Sequence, residues 1–535
     1  MGKLVELSCS SLALYDVAMH AEDAYLFRHA LLRDAAYQTQ LQGDRAKLHK
    51  EALGVMEEAF GEAPSPPTIT PQGEVVCSPH PIDAHANAMS MHAQLAADHF
   101  IEDRQILSER EANYLWRDCI GAVQRHDMIR ALGGFDRLSR HPGQSQALRL
   151  KALVELANHS VTCCDASIAY ERCSDAIRQS TRLNSKFDLA RSLTSRGWLQ
   201  SSLGKVKEAE DDHLKALRLS SEISNDRLTA RIQSHLGHLY AQTGRLKESA
   251  ELHLESLDTS KRCSPDSEIA SRLNNLAASY YQSGKLAESL AHYRESISLC
   301  RKKNLLRQLP VALQGAALVH LQHSDYSASQ TALSEAMKLE QAIGSPLTLA
   351  NLLITYSRLM QAMGRRNEAG QSLLKAADLY REEGAKGGLG IALYYLGGDA
   401  LSSDNASGAI DLFREALMLL RESGNPFFEA GTLWHLADAY RQSGHSSDAL
   451  EYYGQAINRF IDAERKDVSA EVHLELVRFL LDVGQTSRAR DELTECVHRL
   501  RDLNMSRALR DRLEDLQDRF RQHGIDLLDG INLQH

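Results

Sequence analysis

From residue 150 onward, positions forty residues apart carry the same kind of side chain, nine times over and with no slip of register. In units beginning at 150, 190, 230, 270, 310, 350, 390, 430 and 470, position 27 reads Ala176, Ala216, Ser256, Ser296, Ala336, Ala376, Ala416, Ala456 and Cys496. Position 20 reads Ala169, Ala209, Ser249, Ser289, Ser329, Ala369, Ala409, Ala449 and Ala489. A period of this size implies stacked supersecondary units, none of which can bury its apolar face alone.

The unit at 270–309 shows the physics of one repeat. Leu273, Leu276, Ala277 and Tyr280 form one helical stripe, Gly284 ends it, and Leu286, Ser289, Leu290, Tyr293 and Ile297 form a second. The spacing predicts helix, tight turn, helix, with turns near residues 164, 204, 244, 284, 324, 364, 404, 444 and 484. Small residues at positions 8, 20 and 27 let antiparallel helices approach to about 8–10 Å. Pro142, Pro265, Pro310, Pro346 and Pro426 fall at or near unit boundaries, where a helix must stop. The fold class expected is all-α: a solenoid of stacked antiparallel helix pairs over 150–504.

Leu236-Gly237-Tyr240-Gly244, Leu276-Ala277-Tyr280-Gly284 and Leu436-Ala437-Tyr440-Gly444-Ala449-Tyr453-Ala456 resemble the tetratricopeptide repeat. The forty-residue period is similar to the longer-helix variety found in kinesin light chain. The resemblance implies a right-handed superhelix whose first helices line a concave, protein-binding groove, with no catalysis.

Outside the array the pattern is weaker. Residues 61–82 are rich in proline and are expected to be a linker or exposed loop between a small helical segment, 1–60, and degenerate repeats over 83–149. The apolar stripe Leu509, Leu513, Leu516 and Phe520 predicts a helix in 505–535 that covers the last repeat. Residues 25–37, with Phe27-Arg28-His29-Ala30 and Asp34-Ala35-Ala36-Tyr37, resemble the end of the ATPase module of STAND-type signalling proteins. No G-x-x-x-x-G-K-[ST] string occurs, so the resemblance implies an ATPase partner chain, with this chain as its regulatory repeat fragment, as the alternative to a free-standing interaction module.

Composition excludes several classes. A net charge of −10 disfavours a nucleic-acid-coating surface, and no apolar run reaches the ~18 residues of a membrane span. Nine cysteines, mostly at helix-packing positions, fit a reducing cytoplasm. His85, His92 and His99 step by seven, about 10 Å along a helix, too far for one metal ion, and are expected to be surface or interface residues. Cys163, Cys164 and Cys173 are expected to serve packing. No catalytic residue, cofactor or metal site is expected.

The resemblance places positions 2, 5, 6, 9, 12 and 13 of each unit on the groove. They give Arg191, Trp198, Arg231, His235, His238, Asn274, Asn275, Tyr281, Gln314, Arg358, Tyr394, Tyr395, Trp434, His435, Asp438, Arg441 and Arg478. Amides clamp an extended backbone, arginines pair with carboxylates and rings supply area, so the expected partner is a protein or peptide carrying acidic residues. The chaperone-tail carboxylate clamp is missing: around Asn275 stand Ser234, His238, Val311 and Gly315.

Overall fold

The computed structural model describes residues 41–125, 127–500 and 507–522. The segment 25–37, which carries the ATPase-module resemblance, lies outside the described residues. The chain divides after Arg196 into two compact units.

The first unit opens with α1 (Gln42–Ala59), α2 (Ala86–Ala97), α3 (Arg104–Gln124) and α4 (Met128–Arg140), followed by α5 (Gln146–Cys163), α6 (Ala166–Arg182) and the start of α7 (Lys186–Ser202). Trp116, Phe135 and Leu138 are buried in its core. The stretch 61–82 is a mostly exposed loop joining α1 to α2. α1 packs directly on α2, and the residues between them are tied to α3. Buried Arg117 donates to the carbonyls of Ser65 and Ser78, both at 2.9 Å, and to Asp83 at 2.7 Å, while Asn113 donates to the Pro64 carbonyl at 2.8 Å. The proline ring removes an amide donor but leaves a carbonyl that a side chain can claim, so such a loop can be pinned from outside. Within it, Thr68–Ile69 (β1) and Val75–Val76 (β2) pair antiparallel. Of the histidines expected at the surface or an interface, His92 stands between α1 and α2, 4% exposed, with its Nδ1 2.7 Å from Nδ1 of His49.

The second unit continues with α8 (Val206–Glu222), α9 (Asp226–Gln242), α10 (Leu246–Cys263), α11 (Asp266–Gln282), α12 (Leu286–Lys303), α13 (Leu309–Gln322), α14 (Tyr326–Ile343) and α15 (Pro346–Ala362). Then come α16 (Arg366–Glu382), α17 (Lys386–Ser402), α18 (Ala406–Ser423), α19 (Pro426–Gln442), α20 (Ser446–Asp462), α21 (Lys466–Asp482), α22 (Thr486–Leu500) and α23 (Arg507–Gln522). Consecutive helices pack as antiparallel pairs, and all regular structure among the described residues of 150–500 is helical. Buried Leu509, Leu513, Leu516 and Phe520 of α23 share a cluster with Phe479, Leu480 and Leu493 of the last pair.

The backbone repeats every twenty residues rather than every forty. Residues 184, 204, 224, 244, 284, 304, 324, 344, 364, 384, 404, 424, 444, 464 and 484 all have positive φ. After most of these turns the next residue donates to the carbonyl five back, as Arg245 to Tyr240 at 2.8 Å and Arg465 to Phe460 at 2.9 Å. Ser264 breaks the series with φ −109 and ψ 154, because Pro265 follows and the residue before proline is pushed to extended backbone.

Position 8 explains a second regularity. A Cβ on Gly197 would lie 2.9 Å from the His213 ring, one on Gly237 3.0 Å from His253, and one on Gly397 2.5 Å from Phe413. The missing side chain is the seat of the ring at position 24 of the same unit.

Most of the turn residues are glycine, but Glu464 takes φ 56. A left-handed L-residue costs about 1–2 kcal/mol, partly offset by the chain entropy that glycine loses. Glu464→Gly should therefore stabilise the protein by about 0.5–1 kcal/mol in urea unfolding; a lower midpoint would contradict this account of the turns.

Candidate functional site

First helices of successive units touch one another: α9 with α11, α11 with α13, α13 with α15, and α17 with α19. They are the inner helices of the curve, and their exposed positions form the inner face.

Much of the polarity on that face holds the stack together. Asn275 donates to Ser234 Oγ at 2.9 Å, Gln314 to Thr355 Oγ1 at 2.7 Å, and His435 Nε2 lies 3.0 Å from Tyr394 Oη. Each pair is separated by 41 residues, position 5 of one unit meeting position 6 of the next. Asn275 thus stands in a seam between units, as do Tyr394 and His435. Arg191, in the first unit, is held at 2.7 and 3.1 Å by Glu155. Asp438 accepts from Tyr453 Oη at 2.5 Å and pairs with Arg441 at 3.4 Å, and Arg478 pairs with Glu475 at 2.5 Å. Tyr281 packs on the cluster of Ala277 and Tyr293, and Trp434 on the last core cluster, its Nε1 buried without a partner. Asn274 is 7% exposed and lies beneath the surface rather than on it. Arg358 is half-buried on α15.

The residues brought together and left facing the groove lie on α7, α9 and α11. The Trp198 ring centroid is 5.0 Å from that of His235 and 5.1 Å from that of His238; His235 in turn stacks 6.0 Å above His213. Arg231 is 3.7 Å from Glu268, which is gripped by Arg227 at 2.6 Å. Burial, followed by the positive groups around it, drives His235 well below the usual imidazole range. His213 and His253, at the position where other units place Phe413 or Tyr453, are pushed down by burial to about 4 and about 3. Neither ring nitrogen of His213 has a partner. Among the described residues, no group of three or more His, Cys, Asp or Glu is placed to hold a metal ion.

The patch leads into a cavity of about 600 Å³ where the solenoid curls back on itself. His238, Gln242 and Gln282 line one side; Phe427, Phe428 and Arg465, nearly two hundred residues further on, line the other. Contact between the two edges is direct: a Cβ on Gly204 would lie 3.2 Å from Pro426, and one on Gly424 would lie 2.6 Å from Leu203. Arg465 is fixed by Asp467 at 2.9 and 2.8 Å and lies 5.2 Å from the Phe427 ring. Sequence reasoning missed Phe427, Phe428 and Arg465, since only the curvature of the stack brings them to the groove.

Residues 228–302 match the family model of the tetratricopeptide repeat. With the forty-residue period and the stacked helix pairs, the match defines the array as a tetratricopeptide-repeat solenoid. No curated protein matches the sequence. Solved structures with similarity to the chain include a Rap protein complexed with competence and sporulation factor, 11% identical, covering 69% of this chain and 99% of that one at a TM-score of 0.45. Another is the apo form of the quorum sensor NprR from B. thuringiensis, 15% identical over 66% of this chain and 99% of that one, TM-score 0.44. BtubC from P. vanneervenii is 19% identical over 41% and 92%, TM-score 0.36. These likenesses carry no functional weight. Among the described residues, no helix is long and apolar enough to cross a membrane.

The histidines make the array sensitive to acid. His213 and His253 are neutral in the fold down to about 4 and about 3, whereas unfolded chains protonate near 6.5. Their contribution is complete above pH 6.5 and is lost as pH falls below it. His213→Phe, which copies the Phe413–Gly397 pair, should reduce the fall in melting temperature between pH 7 and pH 5. Parallel pH profiles for variant and wild type would refute this.

Proposed function

We propose that the solenoid is a recognition module that takes an extended protein segment along the first helices of the units at 190, 230 and 270. The observation that carries this reading is the continuity of the Trp198–His235–His238 rings with the 600 Å³ cavity. Its volume suits one or two large side chains, and its lining mixes rings with a few oriented polar groups, the usual make-up of a ligand site. Trp198 supplies a broad, rigid surface at small entropy cost, the kind of residue that dominates binding energy. The seam pairs Asn275–Ser234 and Tyr394–His435 keep the wall rigid. Catalysis forms no part of this reading, because no activated nucleophile or acid–base pair faces the groove among the described residues.

Panning a displayed random dodecapeptide library against the purified chain tests the proposal. Trp198→Ala should weaken the selected peptides by more than about 1 kcal/mol, and Phe427→Ala by a similar amount if the cavity takes an anchor side chain. Asn275→Ala should act differently, lowering stability by about 0.5–1.5 kcal/mol through the lost inter-unit bond, with little direct effect on affinity. Unchanged binding by the Trp198→Ala, Phe427→Ala double variant, with helicity intact by circular dichroism, would place the partner elsewhere.

A further inference from the structure

Position 3 of the unit is a core position. Ala152, Ser192, Ile232, Ala312, Leu352, Ala392, Thr432 and Val472 occupy it in eight units, and none of them is exposed. The remaining unit, at 270, carries Arg272, half-buried on α11. Its Nε is buried and has no hydrogen-bond partner. The nearest acid, Glu268, is taken by Arg227 through Nη2 at 2.6 Å and Nε at 3.1 Å. Among the described residues, no carboxylate lies within ion-pair distance of Arg272.

Its neighbours are unpartnered too. Asn274, two residues on, is 7% exposed and its Oδ1 accepts from nothing; His253 is 3% exposed with Nδ1 unpaired. A buried charge is stable only when paired, and a buried acceptor only when a donor reaches it. Arg272 is among the positive groups around His235, whose ring lies 5.0 Å from that of Trp198, so the guanidinium stands next to the ring patch. A peptide offers the complement of the unpaired guanidinium: a carboxylate.

We propose that Arg272 is the receptor for a carboxylate of the bound segment; this rests on the groove reading above. Desolvation holds the Arg272 guanidinium below its usual range, a penalty that a paired carboxylate would offset.

Three small probes separate the sources of the carboxylate. N-acetylglutamate α-amide offers a side-chain acid, N-acetylalanine a terminal acid, and N-acetylglutamine amide neither. The melting temperature of the full chain should rise saturably with one of the two acids and not with the neutral amide. Arg272→Leu, which restores the residue type of Leu352, should fold with an equal or higher melting temperature and abolish the response. Arg272→Lys keeps the charge but loses the fork, and should weaken the same acid about 10- to 100-fold. Equal responses to acid and neutral probes, an undiminished response in Arg272→Leu, or a collapse of helicity in both variants would each overturn the proposal. If displayed peptides bind in a Trp198-dependent manner while neither acid does, the carboxylate site fails and the groove reading stands. If an acid binds through Arg272 but no peptide is selected, the groove reading fails alone.

Discussion

The structure depends on a turn, repeated every twentieth residue, in which one residue goes left-handed and the next closes a bond to the carbonyl five back. That turn fixes helix length: most helices from α6 to α21 hold 17 or 18 residues. Because neither helix of a pair grows or shrinks, position n of one unit always meets the same positions of the next. A one-residue change in any helix would rotate the following stripe by about 100° and bury the wrong face. The glycine seats under His213, His253 and Phe413 and the pairs 41 residues apart are consequences of that constancy.

The same register decides which inner-face residues are available to a ligand. Positions 5 and 6 face each other across a seam, so a complementary couple there, such as Ser234–Asn275 or Gln314–Thr355, becomes part of the wall. Trp198, His238 and the Arg272 guanidinium are not consumed in this way. The outcome is a face with two kinds of polarity: an internal ladder that stiffens the stack, and a concentrated patch in three neighbouring units.

The forty-residue pattern made the helix pairs, their turns and the packing columns legible, because burial of small residues and termination at glycine are local requirements written directly in the chain. The closure was not legible. Gly204 and Pro426 come together only through the curvature accumulated over about five and a half units, a quantity no single repeat encodes. The fate of 61–82 was hidden for a related reason: its proline content is that of a tether, but the cation that pins it, Arg117, lies on another helix. Asn275, Tyr394 and His435 carry side chains suited to ligand capture, and only the 41-residue pairing shows that a neighbour claims them first.

Arg272 is best understood by comparing the chain with itself. Nine copies of one unit supply their own control, and at position 3 eight of them bury an apolar or small side chain. The units at 190 and 230 depart similarly at position 24, placing His213 and His253 where a hydrocarbon ring would be cheaper to bury. Three such departures in consecutive units, with the Trp198 face between them, are hard to attribute to independent drift in a fold whose other units obey the rule. Places where a sequence breaks its own local rule without a structural gain are where function is expected to impose the cost. The unpaired donor of Arg272 gives that cost a direction, toward a ligand bearing a negative charge.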